Sequence, residues 1–209
     1  MIYLVITASI NNMFWSDHPE RREQEYRTAI TESLSHLPVE IQPIIVENNG
    51  KRATFLDHFQ HKGKPVDVIY TDNNASKESK GVKELLDLQT VIRQRGIQPM
   101  DIVIKLTGRY RVTSSSFFER VIKEEDVYDS FMKFHDVVRD RPDSDQAVLG
   151  FYAIRSMYLL YWSPKSIDIY PSAEVAFARY NRRSVPRMRE LSSLGLTCVF
   201  SDDGRSLAV

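Results

Sequence analysis

Residues Asp101 to Tyr110 read D-I-V-I-K-L-T-G-R-Y, and this stretch decides the fold class. Ile102, Val103, Ile104 and Leu106 are apolar and mostly β-branched, as in a parallel strand buried on both faces. The run breaks off in Thr107, Gly108, Arg109 and Tyr110. Open α/β sheets bind ligands outside the carboxyl ends of their strands. Lys105, Arg109 and the Thr107 hydroxyl at such an end point to an anionic ligand, with phosphate the first candidate.

The same rhythm recurs on either side. Residues 2–6 form a continuous apolar run, followed by Thr7, Ala8 and Ser9, small enough to let a ligand approach the backbone. Residues 17–37 read as a helix capped by Asp17, with Tyr26, Ile30, Leu34 and Leu37 at helical spacing and Pro38 as its stop. A strand over 41–46 ends in Glu47-Asn48-Asn49-Gly50, and one over 66–70 ends in Thr71-Asp72-Asn73-Asn74. A short helix at 54–59 lies between them. Residues 80–95 read as a helix with Val82, Leu85, Leu86 and Ile92 on its apolar side and Gly96 just past its end. Strand and helix alternating at this pitch predict a mainly parallel α/β sheet flanked by helices.

The second half changes character. A short helix is expected at 117–122, strands of a mixed or antiparallel portion at 130–134 and 147–154, a helix at 172–180 and a last strand at 196–200. The polar loop at 140–145 is too short for a domain linker. The expectation is therefore one domain, 1–209, with a nucleotide-binding half over about 1–112 and an acceptor side over about 113–209.

Composition excludes several classes. The 209 residues are 42% apolar and 27% charged, which is ordinary for a globular chain. Lys plus Arg and Asp plus Glu are 28 each, so there is no global pull toward nucleic acid or anionic lipid. Cys198 is the single cysteine, which rules out an internal disulfide framework and a cysteine-based zinc cluster and fits a reducing, cytoplasmic compartment. The apolar opening lacks a basic leader and reads as a strand, and no apolar run is long enough to span a bilayer.

Three consecutive strand ends carry polar clusters, which a parallel sheet brings to one edge. Asn and Asp there offer donors and acceptors for a base and ribose, although each cluster alone is also a good turn. Lys80-Gly81 opens a helix whose N-terminus favours anions, with glycine permitting close approach. Neither a P-loop nor a G-x-G-x-x-G is present. Lys105 on a buried strand needs a partner, and Asp101, Asp72 and Glu84 are the candidates. His135-Asp136 and Asp202-Asp203 are candidate cation ligands. Arg179, Arg182, Arg183, Arg187 and Arg189, beside Tyr180, read as a solvated helix end, with an acceptor-contacting or RNA-binding surface as alternatives. Glu174 starts the late helix, as a partner of its dipole or as a catalytic carboxylate.

Several stretches carry a family resemblance: M-I-Y-L-V-I-T-A-S-I, P-I-I-V-E-N-N-G-K-R, Y-T-D-N-N, K-G-V-K-E-L-L-D, I-K-L-T-G-R-Y, L-G-F-Y-A-I and F-S-D-D-G. Together they span nearly the whole chain and resemble glycosyltransferases of the GT-A type, in particular those that build the capsid glycans of chlorella viruses. The resemblance implies a GT-A-like fold and transfer of a sugar, rhamnose or another hexose, from a UDP-sugar donor to a glycan or glycoprotein acceptor. It also implies a divalent cation, Mn²⁺ or Mg²⁺, and a viral protein of the host cytoplasm, as part of a larger multidomain chain or alone. The nucleotide-sugar site would then comprise Thr7, Ala8, Ser9, Glu47, Asn48, Asn49, Arg52, Thr71, Asp72, Asn73, Lys80, Gly81, Glu84, Lys105, Gly108 and Arg109. Lys105, Arg109 and Glu174 are the candidate catalytic residues, and Asp72, Asp136 and Asp203 the candidate metal ligands. One departure from the pattern stands out: K-L-T-G-R occupies the place where the family carries Asp-x-Asp. A catalytically silent nucleotide- or sugar-binding module is the alternative.

Overall fold

Buried strands need layers on both sides, and the alternation of side chains along each strand decides which layer each residue meets. The structure is a computed structural model that describes residues 1–11, 19–142, 145–199 and 206–209. The helix cap expected at Asp17 lies outside these residues. The first half runs β1 (Ile2–Ala8), α1 (Pro19–Ser35), β2 (Ile41–Glu47), β3 (Gln60–His61), β4 (Lys64–Pro65), β5 (Asp67–Tyr70), α2 (Lys80–Arg95) and β6 (Ile102–Thr107). There follow β7 (Arg111–Val112), α3 (Ser116–Glu124), β8 (Ser130–Met132), β9 (Phe151–Arg155), α4 (Ser156–Tyr161), α5 (Ala173–Ser184), β10 (Met188–Glu190), β11 (Leu196–Val199) and β12 (Ser206–Ala208).

A seven-stranded sheet in the order β10-β8-β9-β6-β1-β2-β5 forms the centre. β1, β2, β5 and β6 are parallel, as expected. β9 runs against both β6 and β8, so the sheet is mixed and mainly parallel. All seven residues of β1 are buried. Ile2, Leu4 and Ile6 share one core with Tyr26, Ile30 and Leu34 of α1 and with Phe117 and Phe118 of α3. Tyr3 and Val5 face the other core, with Val82, Leu85, Leu88 and Val91 of α2 and Phe177 of α5. Ile102, Ile104 and Leu106 of β6 repeat the first pattern, which turns Lys105 toward α2.

Two expectations need correction. The strand expected at 147–154 begins only at Phe151. Residues before it bend, because the Tyr110 ring lies where a Gly150 side chain would be and the Leu149 carbonyl turns to accept from Lys105 Nζ at 2.9 Å. The short helix at 54–59 is one 3-10 turn, Phe55–His58, capped by Thr54. The strand expected at 196–200 is β11, which belongs to a separate three-stranded sheet with β7 and β12, the latter following it in the chain.

Four of the five arginines of the late segment, Arg179, Arg182, Arg187 and Arg189, find partners within the fold. Asp129, buried ahead of β8, accepts from Arg155 Nε at 3.0 Å and from Arg187 Nη2 at 2.7 Å, which ties β9 and the approach to β10 together. Arg189 lies 3.5 Å from Glu124, Arg182 lies over the Phe134 ring, and Arg179 over that of Tyr170. Such pairing does not resemble an open phosphate-binding face.

Arg187 above all, then Arg155, holds the Asp129 carboxyl below its usual range, against the upward push of burial. A depressed carboxylate stabilises the fold above its unfolded pKa and loses that contribution as pH falls through the folded value. Urea titrations from neutral pH to about pH 3 are expected to show this loss. Asp129→Ala is expected to remove about 3–5 kcal/mol at neutral pH, because Arg155 is left buried without its carboxylate, and to flatten the acid limb. An unchanged acid limb in the variant would mean that another carboxylate controls it.

Candidate functional site

Because β1, β2, β5 and β6 are parallel, their carboxyl ends share one edge, and α2 packs across it with two acids one turn apart. Asp87 is fully buried and accepts from Asn48 Nδ2 at 3.0 Å, Thr71 Oγ1 at 2.7 Å and Asn73 Nδ2 at 2.7 Å. It therefore fastens the ends of β2 and β5 to the helix. Burial pushes its pKa up, and these three hydrogen bonds pull part of the way back. Glu84 accepts from Lys105 Nζ at 2.9 Å, while that ammonium also donates to Thr107 Oγ1 at 2.6 Å and to the Leu149 carbonyl. All three lysine donors are thus committed. Burial pushes the Lys105 ammonium down, against the pull of Glu84. Burial alone would raise Glu84, but Lys105 and then Lys80 outweigh it and hold the carboxyl below its usual range.

A cleft of 580 Å³ opens on this edge. Thr7, Ala8, Ser9 and Asn48 line it from the strand ends, Arg22 and Tyr26 from α1, and Lys80, Lys83 and Glu84 from α2. Thr107 and Arg109 line it from the end of β6 and Asn74 from the loop after β5. Gly108 brings β6 close: a side chain there would meet the Tyr26 ring at 2.9 Å and the Thr7 carbonyl oxygen at 3.0 Å. Arg22 is 4% exposed; its Nε donates to the Ser9 carbonyl at 2.9 Å, and its guanidinium lies over the Tyr26 ring. Arg109 is buried at 5% exposure and reaches Glu25 at 3.5 Å.

A second cleft of 340 Å³ adjoins the first and shares Lys80, Glu84 and Thr107 as a wall. Its other side carries Asp168, Tyr170 and Glu174, with Tyr110 and Lys105 beneath. The two clefts have opposite character, cationic in the first and acidic in the second.

The expected residues sort into three groups. Thr7, Ala8, Ser9, Asn48, Lys80, Glu84 and Arg109 line the first cleft. Glu47, Asn49, Thr71 and Asn73 stand behind it as supports: Glu47 is fully buried, accepts from the Ile10 and Asn49 backbone N–H groups and lies 3.6 Å from Arg52. Lys105 and Gly81 act differently from expectation. With its donors used, Lys105 has none left for a phosphate. Gly81 is small because Ala173 occupies the space a Cβ would need, so it sets the contact of α2 with α5. Glu174 lines the second cleft.

Sequence reasoning passed over Arg22, Asp87, Lys83, Asp168 and Tyr170. Two of these leave a trace in the sequence. Arg22 lies four residues before Tyr26, so it extends the stripe Tyr26, Ile30, Leu34 by one turn. Asp87 sits inside the Leu85, Leu88, Val91 stripe. The other three carry no such trace.

The expected divalent cation finds a poor donor set. Asp72 is exposed, makes no side-chain cap bond and lines neither cleft. Asp136 accepts from the backbone of Val138 at 3.0 Å and Arg139 at 3.1 Å, within its own turn. Asp203 lies outside the described residues. Among the described residues no three His, Cys, Asp or Glu side chains are placed to hold an ion. Glu84 and Asp87 are already paired, so the described residues do not fit a resident metal. Cys198 is buried, and burial pushes its thiol up to about 12, which suits a core residue rather than a nucleophile. No helix among the described residues is long and apolar enough to cross a membrane.

No protein-family model matches this chain, and no curated protein matches it in sequence. Solved structures do match. A protein from Desulfovibrio desulfuricans G20 regarded as a nucleotide-diphospho-sugar transferase superposes with a TM-score of 0.57 at 11% identity, over 91% of this chain and 80% of that one. A197 from STIV gives 0.52 at 13% identity over 100% and 94% of the two chains. S. aureus TarS gives 0.51 at 15% identity over 93% of this chain and 59% of the other. The fold is therefore of the nucleotide-diphospho-sugar transferase, GT-A-like kind.

Lys105→Met tests the anchor. It leaves Glu84 without its partner in a partly buried place, and urea unfolding is expected to show a loss of about 3–5 kcal/mol. Adding Glu84→Gln is expected to recover a measurable part of that loss. A single variant as stable as wild type would show that the pair is dispensable to the fold.

Proposed function

We propose that this protein is a glycosyltransferase that moves a sugar from a UDP-linked donor to a hydroxyl of a glycan acceptor. The observation that carries the reading is the shared wall: a cation-lined cleft at the sheet's carboxyl edge opens onto an acid-lined one across Lys80, Glu84 and Thr107. Sugar transfer needs that division of charge. The bond from the anomeric carbon to the diphosphate oxygen breaks, and the leaving group's charge must be met by fixed positive groups. Arg109, Arg22 and Lys80 face that position. The acceptor oxygen forms the new bond and gives up its proton to a carboxylate, the role assigned to Glu174. Ser9, Asn48 and Asn74 supply polar edges for the base and ribose.

The finer reading rests on the sequence resemblance. It names rhamnose or another hexose as the sugar, a viral capsid glycoprotein as the acceptor's carrier, and the host cytoplasm as the place. The fold of the neighbouring structures supports the reaction class and says nothing of these particulars.

A panel of UDP-sugars, with released UDP and transferred sugar both measured, tests the proposal. Turnover is expected with a UDP-linked hexose or deoxyhexose, and UDP is expected to raise the melting temperature more than GDP or CMP. Glu174→Gln is expected to lower turnover about 100-fold or more with UDP affinity unchanged. Arg109→Ala is expected to weaken UDP affinity or turnover about tenfold or more, the size of one charge-assisted phosphate contact. Binding of UDP without turnover of any donor would favour the silent binding module instead.

A further inference from the structure

Arg22 occupies a place that the packing of α1 does not require to be charged. Its neighbours on the same stripe are Tyr26, Ile30 and Leu34, all buried and apolar. A guanidinium there is costly unless something answers its charge. The Ser9 carbonyl and the Tyr26 ring answer it in part, but Nη1 is buried with no hydrogen-bond partner among the described residues. Arg109 is scarcely better supplied, since Glu25, the acid it reaches among the described residues, also lies 3.4 Å from Arg21. Lys83 donates to the Asn74 carbonyl at 3.1 Å and to Asn74 Oδ1 at 3.5 Å, which leaves one donor, and Lys80 is exposed at the head of α2. The carboxylate that lines this cleft, Glu84, belongs to Lys105. Four cations thus face the cleft, and its lining carboxylate is already paired.

This arrangement lacks a multivalent anion rather than a metal. Resting on the transferase reading above, we infer that the donor's diphosphate is bound by Arg22, Arg109, Lys83 and Lys80 themselves, so that the protein holds its nucleotide without a divalent cation. Arg22 comes from α1 and Arg109 from the turn after β6, and the two lie near one another, Arg109 reaching Glu25 of the same helix. Two planar guanidinium groups suit bidentate contact with successive phosphoryl groups. The two lysines act as point charges where the amino end of α2 adds its own positive potential. The K-L-T-G-R sequence and the cations around it then replace the electrostatic part of an Asp-x-Asp metal site.

Calorimetric titration of the full chain with UDP, in excess EDTA and in excess Mn²⁺, tests this, with inorganic pyrophosphate in EDTA as a third arm. UDP is expected to bind with affinities within about twofold of each other in the two buffers. Pyrophosphate is expected to bind in EDTA, and both ligands to weaken as ionic strength rises. Arg22→Gln is expected to weaken UDP about tenfold or more in either buffer. Because Arg22 also holds Ser9, the more accessible Lys83→Gln repeats the test where folding is not at stake, with the same direction expected. UDP binding that requires Mn²⁺ would overturn the inference and leave the transferase reading standing. Wild-type UDP affinity in both variants would overturn the cation clamp. Failure of both ligands to bind in any buffer would overturn the transferase reading and the inference with it.

Discussion

Lys105 carries a full charge into the middle of a sheet, on a strand whose other residues are apolar except the terminal Thr107. With 1% exposure its ammonium has no water to turn to, so each of its three protons must meet an oxygen of the protein. Those oxygens come from three places: Glu84 on α2, Thr107 at the end of β6, and the carbonyl of Leu149. One group therefore fixes how far α2 lies from β6 and where the chain bends before β9. Asp87, one turn further along α2, imposes the same condition on β2 and β5 through Asn48, Thr71 and Asn73. Apolar packing holds α2 against the sheet, but apolar contacts allow sliding. The two buried acids remove that freedom, and so place the amino end of α2 where the two clefts meet.

From that placement follows the separation of charge. The polar side chains most deeply buried at the sheet edge are satisfied among themselves and are not available to a ligand. The groups left facing the first cleft are cations held by different elements: Arg22 by α1, Lys80 and Lys83 by α2, Arg109 by the turn after β6. Across the shared wall, Asp168 and Glu174 present acid and Tyr170 an aromatic face. A reaction that expels a diphosphate and deprotonates a hydroxyl needs both environments within one substrate's length. Structures of similar fold share only 11–15% of their residues with this chain.

Much of this was legible from the order of residues. The continuous apolar run at 2–6 and the largely apolar stretches at 41–46 and 102–106 read as strands covered on both faces, and their alternation with amphipathic helices leaves a parallel arrangement as the simple solution. A parallel sheet puts strand ends on one edge, so Thr7 to Ser9, Asn48 and Arg109 were brought together by topology alone. These are local and periodic signals, which a sequence displays directly. The tertiary structure decided what each polar residue does. Lys105 looked like a phosphate ligand beside Arg109, and both are buried, yet their partners differ, because one points into the α2 layer and the other lines the cleft. Gly81 looked like room for a phosphate and is room for Ala173. Arg22 was hidden in a helix that seemed to end its buried stripe at Tyr26. In each case the deciding quantity is which groups lie within hydrogen-bond reach across long separations in sequence, and that is set by the packing of α1, α2 and α5 on the sheet, not by the residues' own neighbours in the chain.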